Sequence, residues 1–94
     1  MRATRVVVVT NPQGLHARPA DLFVKTATRF SSKIELVKGR ERVDGKSILN
    51  LLTLAAVAGT QLSIEADGPD AEQALEALAK LVEQNFAETE HVHE

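Results

Sequence analysis

The chain has no cysteine, no tryptophan and no tyrosine. Without cysteine there is no disulfide framework, no thiol nucleophile and no cysteine-ligated zinc, which fits a reducing compartment. Aromatic residues make up only 3%, all of them phenylalanine, so any core must be built from Val, Leu, Ile and Ala. No apolar stretch is long enough to span a bilayer. The first residues lack the apolar segment and cleavage site of a secretory signal. A basic surplus is also missing: the formal net charge is −2, against the positive face that non-specific nucleic-acid binding needs. There is no phosphate-binding P-loop, no metal-ligand cluster and no catalytic dyad, so an autonomous enzyme is disfavoured. The expectation is a cytoplasmic domain with no nucleic-acid partner, no membrane insertion, no metal and no cofactor.

What is present, in 94 residues, suits one small domain with a single two-layer core. Arg2 to Val9 reads as a strand, and its unbroken run Val6-Val7-Val8-Val9 suits an interior position in a sheet. Asn11-Pro12 and Gly14 mark a turn. From Ala17 to about Arg29 the apolar residues Ala20, Phe23, Val24, Ala27 and Phe30 recur every three to four positions, the spacing of a helix with one buried face. Pro19 is tolerated there because it falls in the first turn.

Lys33 to Lys38 alternates, with Ile34 and Leu36 opposite Glu35, and Arg40 to Val43 returns after Gly39, so the pair reads as a hairpin. Ser47 stands at a helix N-cap position before Ile48, Leu49, Leu51, Leu52 and Leu54. Thr60 to Asp67 alternates again, with Leu62, Ile64 and Ala66 inward and Gln61, Ser63 and Glu65 outward. Asp70 is the expected cap of a last helix, Ala71 to Phe86, whose stripe is Ala71, Ala74, Leu75, Leu78, Leu81, Val82 and Phe86. The domain is expected to span residues 1–87 and to be followed by an acidic, aperiodic tail at 88–94. The tail's His91 and His93 are too few ligands for a metal site. The order β-α-β-β-α-β-α predicts an α+β open-faced sandwich: an antiparallel or mixed sheet, helices on one face, the other face polar and solvated.

The chemistry concentrates in Asn11-Pro12-Gln13-Gly14-Leu15-His16-Ala17-Arg18-Pro19-Ala20. His16 falls where a strand has ended and a helix begins. Helix N-termini present free N–H groups and a positive dipole end, a setting that accommodates phosphate. An imidazole is nucleophilic when neutral, and free histidine titrates near about pH 6.5. Arg18 would stabilise phosphoryl oxygens, the backbone N–H groups of Ala17 and Arg18 would solvate them, and Gly14 permits close backbone approach.

Gly14-Leu15-His16-Ala17-Arg18-Pro19-Ala20 resembles the active-site signature of the HPr family, the histidine-containing phosphocarriers of the sugar phosphotransferase system. Val43-Asp44-Gly45-Lys46-Ser47-Ile48-Leu49 resembles that family's regulatory serine segment. The spacing of the two segments and the element order fit as well, over roughly residues 4 to 86. The resemblance implies a four-stranded antiparallel sheet with three helices on one face. It implies that His16 accepts a phosphoryl group on Nδ1 from enzyme I, itself charged by phosphoenolpyruvate, and passes it to a sugar-specific acceptor domain. Arg18 would steady the phosphoryl oxygens, and Ser47 would be the site of an ATP-dependent HPr kinase/phosphorylase. Ile48, Leu49 and Leu52 would dock partners. The chain would be a carrier, not an enzyme, and a monomer. Asn50 departs from the glycine of the family pattern, which bears on kinase recognition.

Four other readings stand beside this one. Ser47 is also a good structural cap, and Ile48, Leu49 and Leu52 also suit a core. A nitrogen-branch or purely regulatory carrier would use the same His16 with other partners. A ligand-sensing or oligomerising α+β domain would not need His16 at all.

Overall fold

A computed structural model describes residues 1–86. Four strands and three helices follow in the expected order: β1 (Arg2–Val8), α1 (Ala17–Ala27), β2 (Lys33–Lys38), β3 (Glu41–Asp44), α2 (Ile48–Leu54), β4 (Gln61–Asp67) and α3 (Ala71–Glu83). The strands form one sheet in the order β1-β4-β2-β3, every pair antiparallel. The helices cover one face, and the fold is an α+β open-faced sandwich. The boundary expected at residue 87, the acidic tail and its two histidines lie outside the described residues.

Alternation in β2 and β4 decides which face is buried. Ile34 and Leu36 from β2 and Leu62, Ile64 and Ala66 from β4 are buried beneath Ala20 and Phe23 of α1, Leu51 and Leu54 of α2, and the apolar stripe of α3. This core is aliphatic apart from Phe23 and Phe86. Burial of such surface, at about 25 cal/mol per Å², is the main force holding the two layers together.

β1 is an edge strand, not an interior one. It pairs only with β4. Val7 and Val9 enter the core, while Val6 and Val8 on the open face are 54% and 43% exposed. Four valines in a row conceal an alternation that the neighbouring elements impose.

The open face is polar, but its acids are paired rather than simply solvated. The β2–β4 register sets Glu35 directly opposite Glu65, a like-charge pair that alone would be unfavourable. The Arg42 guanidinium bridges them, at 2.8 Å from Glu35 and 2.6 Å from Glu65, and Arg2 adds a contact to Glu65 at 2.9 Å. Hydrogen bonding from Arg42 is the main reason the Glu65 carboxyl lies below its ordinary range.

Asp70 occupies the N-cap position of α3, yet its side chain does not cap that helix. The carboxylate reaches back across the chain instead. It accepts from the backbone N–H groups of Ser31 and Ser32, both at 3.0 Å, and from the Ser32 hydroxyl at 2.5 Å. Asp70 thus fastens the start of α3 to the turn between α1 and β2. α3 itself stops at Glu83, short of the expected Phe86. Asn85 and Phe86 adopt left-handed φ of 55° and 60°, and the Phe86 N–H returns to the Leu81 carbonyl at 2.9 Å, closing the helix end.

Candidate functional site

Asn11 to Gly14 form a β-turn closed by the Gly14 N–H donating to the Asn11 carbonyl at 3.0 Å, with Pro12 at the second position and Gly14 at the fourth, both favoured there. Gly14 has φ +69°, and a Cβ on it would land on the Ala56 carbonyl oxygen and within 2.9 Å of Val57 Cα. No other residue type fits without displacing the segment that follows α2. The next N–H, from Leu15, donates to that same Ala56 carbonyl at 2.8 Å, and the Leu15 side chain is buried.

Leu15 thus anchors the turn in the core and His16 emerges at the surface. His16 is the N-cap of α1, with extended backbone (φ −86°, ψ −167°), and its carbonyl accepts the first helical bond from Ala20 at 3.0 Å. Its side chain makes no capping hydrogen bond, so the imidazole nitrogens are not consumed by the helix. Pro19 has no N–H, so the first turn offers only the N–H groups of Ala17 and Arg18, the two expected to face a phosphate. Arg18 is exposed and forms no salt bridge among the described residues. Among the described residues nothing competes with a ligand for the cation nearest in sequence to the histidine.

His16 and Arg18 line a cleft of about 340 Å³ together with Asn11, Pro12, Gln13, Pro19, Leu22, Asn85 and Phe86. Asn85 and Phe86 reach it from the far end of α3, held by a hydrogen bond from the Thr10 hydroxyl to the Asn85 side chain. Sequence reading missed these two because nothing local joins residue 10 to residue 85. It also missed Asn11 as more than a turn former; an asparagine opening an Asn-Pro-x-Gly turn was the available signal.

Ser47 caps α2 as expected. Its Oγ accepts from the Asn50 backbone N–H at 3.2 Å and the Asn50 side-chain amide at 3.1 Å. Asn50 therefore clasps the serine, and its side-chain Oδ1 also accepts from the Asp44 N–H at 3.3 Å. Leu51 and Leu54 face the core, whereas Ile48, Leu49 and Leu52 are 38%, 70% and 38% exposed. Val57, just past α2, is also exposed, at 65%. The helix α2 spans about 10 Å at 1.5 Å per residue. The segment just past its far end is bonded to the histidine turn through the Ala56 carbonyl. Among the described residues no group of His, Asp and Glu is arranged to hold a metal ion, and no helix is long and apolar enough to cross a membrane.

An exposed histidine at a helix start, beside two N–H groups and an exposed arginine that forms no salt bridge among the described residues, is the kind of site found in small proteins that carry a group between larger partners. A family model described as the PTS HPr component phosphorylation site matches residues 3–84. The phosphocarrier protein HPr of Treponema pallidum is 44% identical over 84 residues, covering 89% of this chain and 96% of that protein. The crystal structure of HPr-C-His from Thermoanaerobacter tengcongensis superposes with a TM-score of 0.88 at 40% identity, covering 90% of this chain and 96% of that one. That of a phosphocarrier protein HPr from Bacillus anthracis gives 0.82 at 43% identity, covering 86% and 96%. The chain belongs to the HPr family, the phosphocarriers of the phosphotransferase system.

Proposed function

We propose that His16 accepts a phosphoryl group on Nδ1 from phosphorylated enzyme I and passes it to a sugar-specific acceptor domain. The observation that carries this reading is the exposed His16 imidazole at the N-terminus of α1, without a hydrogen bond among the described residues, beside an exposed Arg18 without a salt bridge among them. In each transfer a nitrogen–phosphorus bond forms as the donor's breaks, with the imidazole lone pair attacking phosphorus. Nucleophile and leaving group are of the same kind, so catalysis reduces to positioning and charge stabilisation. Arg18 and the N–H groups of Ala17 and Arg18 supply the latter. Shallow, open placement suits a group that must meet two partners in turn.

Ile48, Leu49 and Leu52 form the docking surface in this reading. An HPr kinase/phosphorylase modifies Ser47, adding about −1.5 to −2 charges beside that surface, so that docking weakens while the fold persists. The carrier works in the cytoplasm as a monomer. The test is incubation with phosphoenolpyruvate and enzyme I, followed by intact mass and acid treatment. An acid-labile phosphoryl adduct, absent from His16→Ala, supports the reading; a folded protein that gains no adduct refutes it. An acid-stable adduct formed with ATP and the kinase, and lost in Ser47→Ala, checks the regulatory half.

A further inference from the structure

Among the described residues only two polar side chains are buried, Asn11 and Ser32. Ser32 is accounted for by Asp70. Asn11 is 8% exposed, and it stands in the wall of the cleft that holds His16 and Arg18. Its Nδ2 donates to the Gly14 carbonyl at 2.7 Å, while its buried Oδ1 accepts nothing among the described residues. Burying a carboxamide with its oxygen unpartnered is unfavourable. Such a group in a native fold calls for a reason beyond packing.

The reason lies in the carbonyl it holds. The Gly14 oxygen accepts a second bond, from the backbone N–H of His16 at 3.0 Å. One oxygen is therefore gripped from both sides, by Asn11 and by His16. The imidazole has no hydrogen bond of its own among the described residues, so the protein places it through the His16 backbone, which fixes the Cα–Cβ bond the ring hangs from. That backbone is fixed by Gly14 on one side and α1 on the other. Ala56 sets the depth of the turn through Gly14 and Leu15, and Asn11 sets the tilt of the Gly14 peptide.

We infer that Asn11 is a positioning residue for phosphoryl transfer, acting through the Gly14 carbonyl to aim the His16 imidazole. The inference rests on the reading of His16 as the acceptor. The donor Nδ2 does the positioning and the acceptor Oδ1 is dispensable. Asn11→Asp keeps size and the acceptor but sets a carboxylate oxygen against the Gly14 carbonyl. Asn11→Ser supplies a hydroxyl donor and removes the unused acceptor.

The test measures transfer from phosphorylated enzyme I with this chain as the varied substrate, beside a urea melt and the imidazole ¹H–¹⁵N signals of His16. Asn11→Asp is expected to lower kcat about tenfold or more, the size of effect a small misplacement of a reacting group produces. Its KM should stay near wild type, and its imidazole signals should move. Asn11→Ser is expected to restore kcat to near wild type. The inference is overturned if Asn11→Asp transfers normally with unmoved imidazole signals, if its rate loss equals its loss of folded protein, or if Asn11→Ser is as slow as Asn11→Asp. Wild-type protein that gains no phosphoryl group refutes the His16 reading itself, a separate outcome. Asn11→Ala, lacking both donor and acceptor, should match Asn11→Asp in kcat wherever it folds, and a normal kcat there also overturns the inference.

Discussion

Gly14 lies against the Ala56 carbonyl so closely that only hydrogen fits between them, and the Leu15 N–H bonds that same oxygen at 2.8 Å. The turn that presents the histidine is thereby welded to the end of α2. Gly14→Ala should damage both. Left-handed backbone alone costs a non-glycine residue about 1–2 kcal/mol, and the clash with backbone atoms adds to it because no flexible side chain can yield. The expected outcome is a lower urea midpoint together with slower phosphoryl acceptance by the protein that remains folded. A midpoint equal to wild type would mean the turn can slide off α2.

His16 leaves its own helix without a side-chain cap. It holds an N-cap position without a capping hydrogen bond, so His16→Ala should change unfolding free energy by less than about 0.5 kcal/mol while abolishing acceptance. His16→Ser goes further. Serine at an N-cap accepts a backbone N–H, here that of Arg18 because Pro19 has none, and should raise stability by about 0.5–1 kcal/mol in an inactive protein. Chemical denaturation of the three forms checks the order. A marked loss of stability in His16→Ala would show that the imidazole supports the fold.

The cap that Ser47 forms and the regulatory role proposed for it can be tested apart. Ser47→Ala removes both bonds from Asn50 and should cost about 1 kcal/mol with little effect on transfer. Ser47→Asp preserves an N-cap acceptor and favourable charge at a helix start, so its melt should stay near wild type while its KM for enzyme I rises. Equal KM values for both variants would leave the serine a cap and nothing more.

Leu49 is 70% exposed on α2 and contributes little to the core. Leu49→Asp should therefore leave the melting temperature within a degree or two, of the order expected for a surface change, yet weaken binding of both donor and acceptor proteins. Titration calorimetry with each partner tests whether one surface serves both. Unchanged affinity for either would assign that partner to a different face.

Local signals were legible in the chain and distant ones were not. The β2 and β4 alternations placed Ile34, Leu36, Leu62, Ile64 and Ala66 correctly, because period two is visible within one strand. Ser47 was readable as a cap because its partner, Asn50, is three residues away. The histidine turn was readable because strand end, glycine and helix start are adjacent. β1 misled: in Val6-Val7-Val8-Val9 every residue is apolar, so exposure is decided by what pairs with the strand. Asp70 misled for a related reason, since its partners Ser31 and Ser32 lie 39 and 38 residues away. Asn85 and Phe86 reach the site only through tertiary contact. Asn11 looked like an ordinary turn former until its carboxamide was found buried on the Gly14 carbonyl.

The Asp70 clasp predicts how stability depends on acidity. Hydrogen bonds, first from the Ser32 hydroxyl and then from the Ser31 backbone, hold its carboxyl down to about 2 from an ordinary 3.8. The folded value lies below the unfolded one, so the ionised form favours the fold. That contribution is fully present above the ordinary value and is lost as pH falls through the folded one. Asp70→Asn keeps the shape but turns an acceptor oxygen into an N–H group facing the donors of Ser31 and Ser32. The variant should melt lower at neutral pH, and its stability should decline less steeply than wild type as pH drops from about 4 to 2. Urea midpoints of both proteins across that interval give the comparison. Parallel slopes would show that the carboxylate titrates alike in folded and unfolded chains, and that the clasp between α3 and the start of β2 owes nothing to its charge.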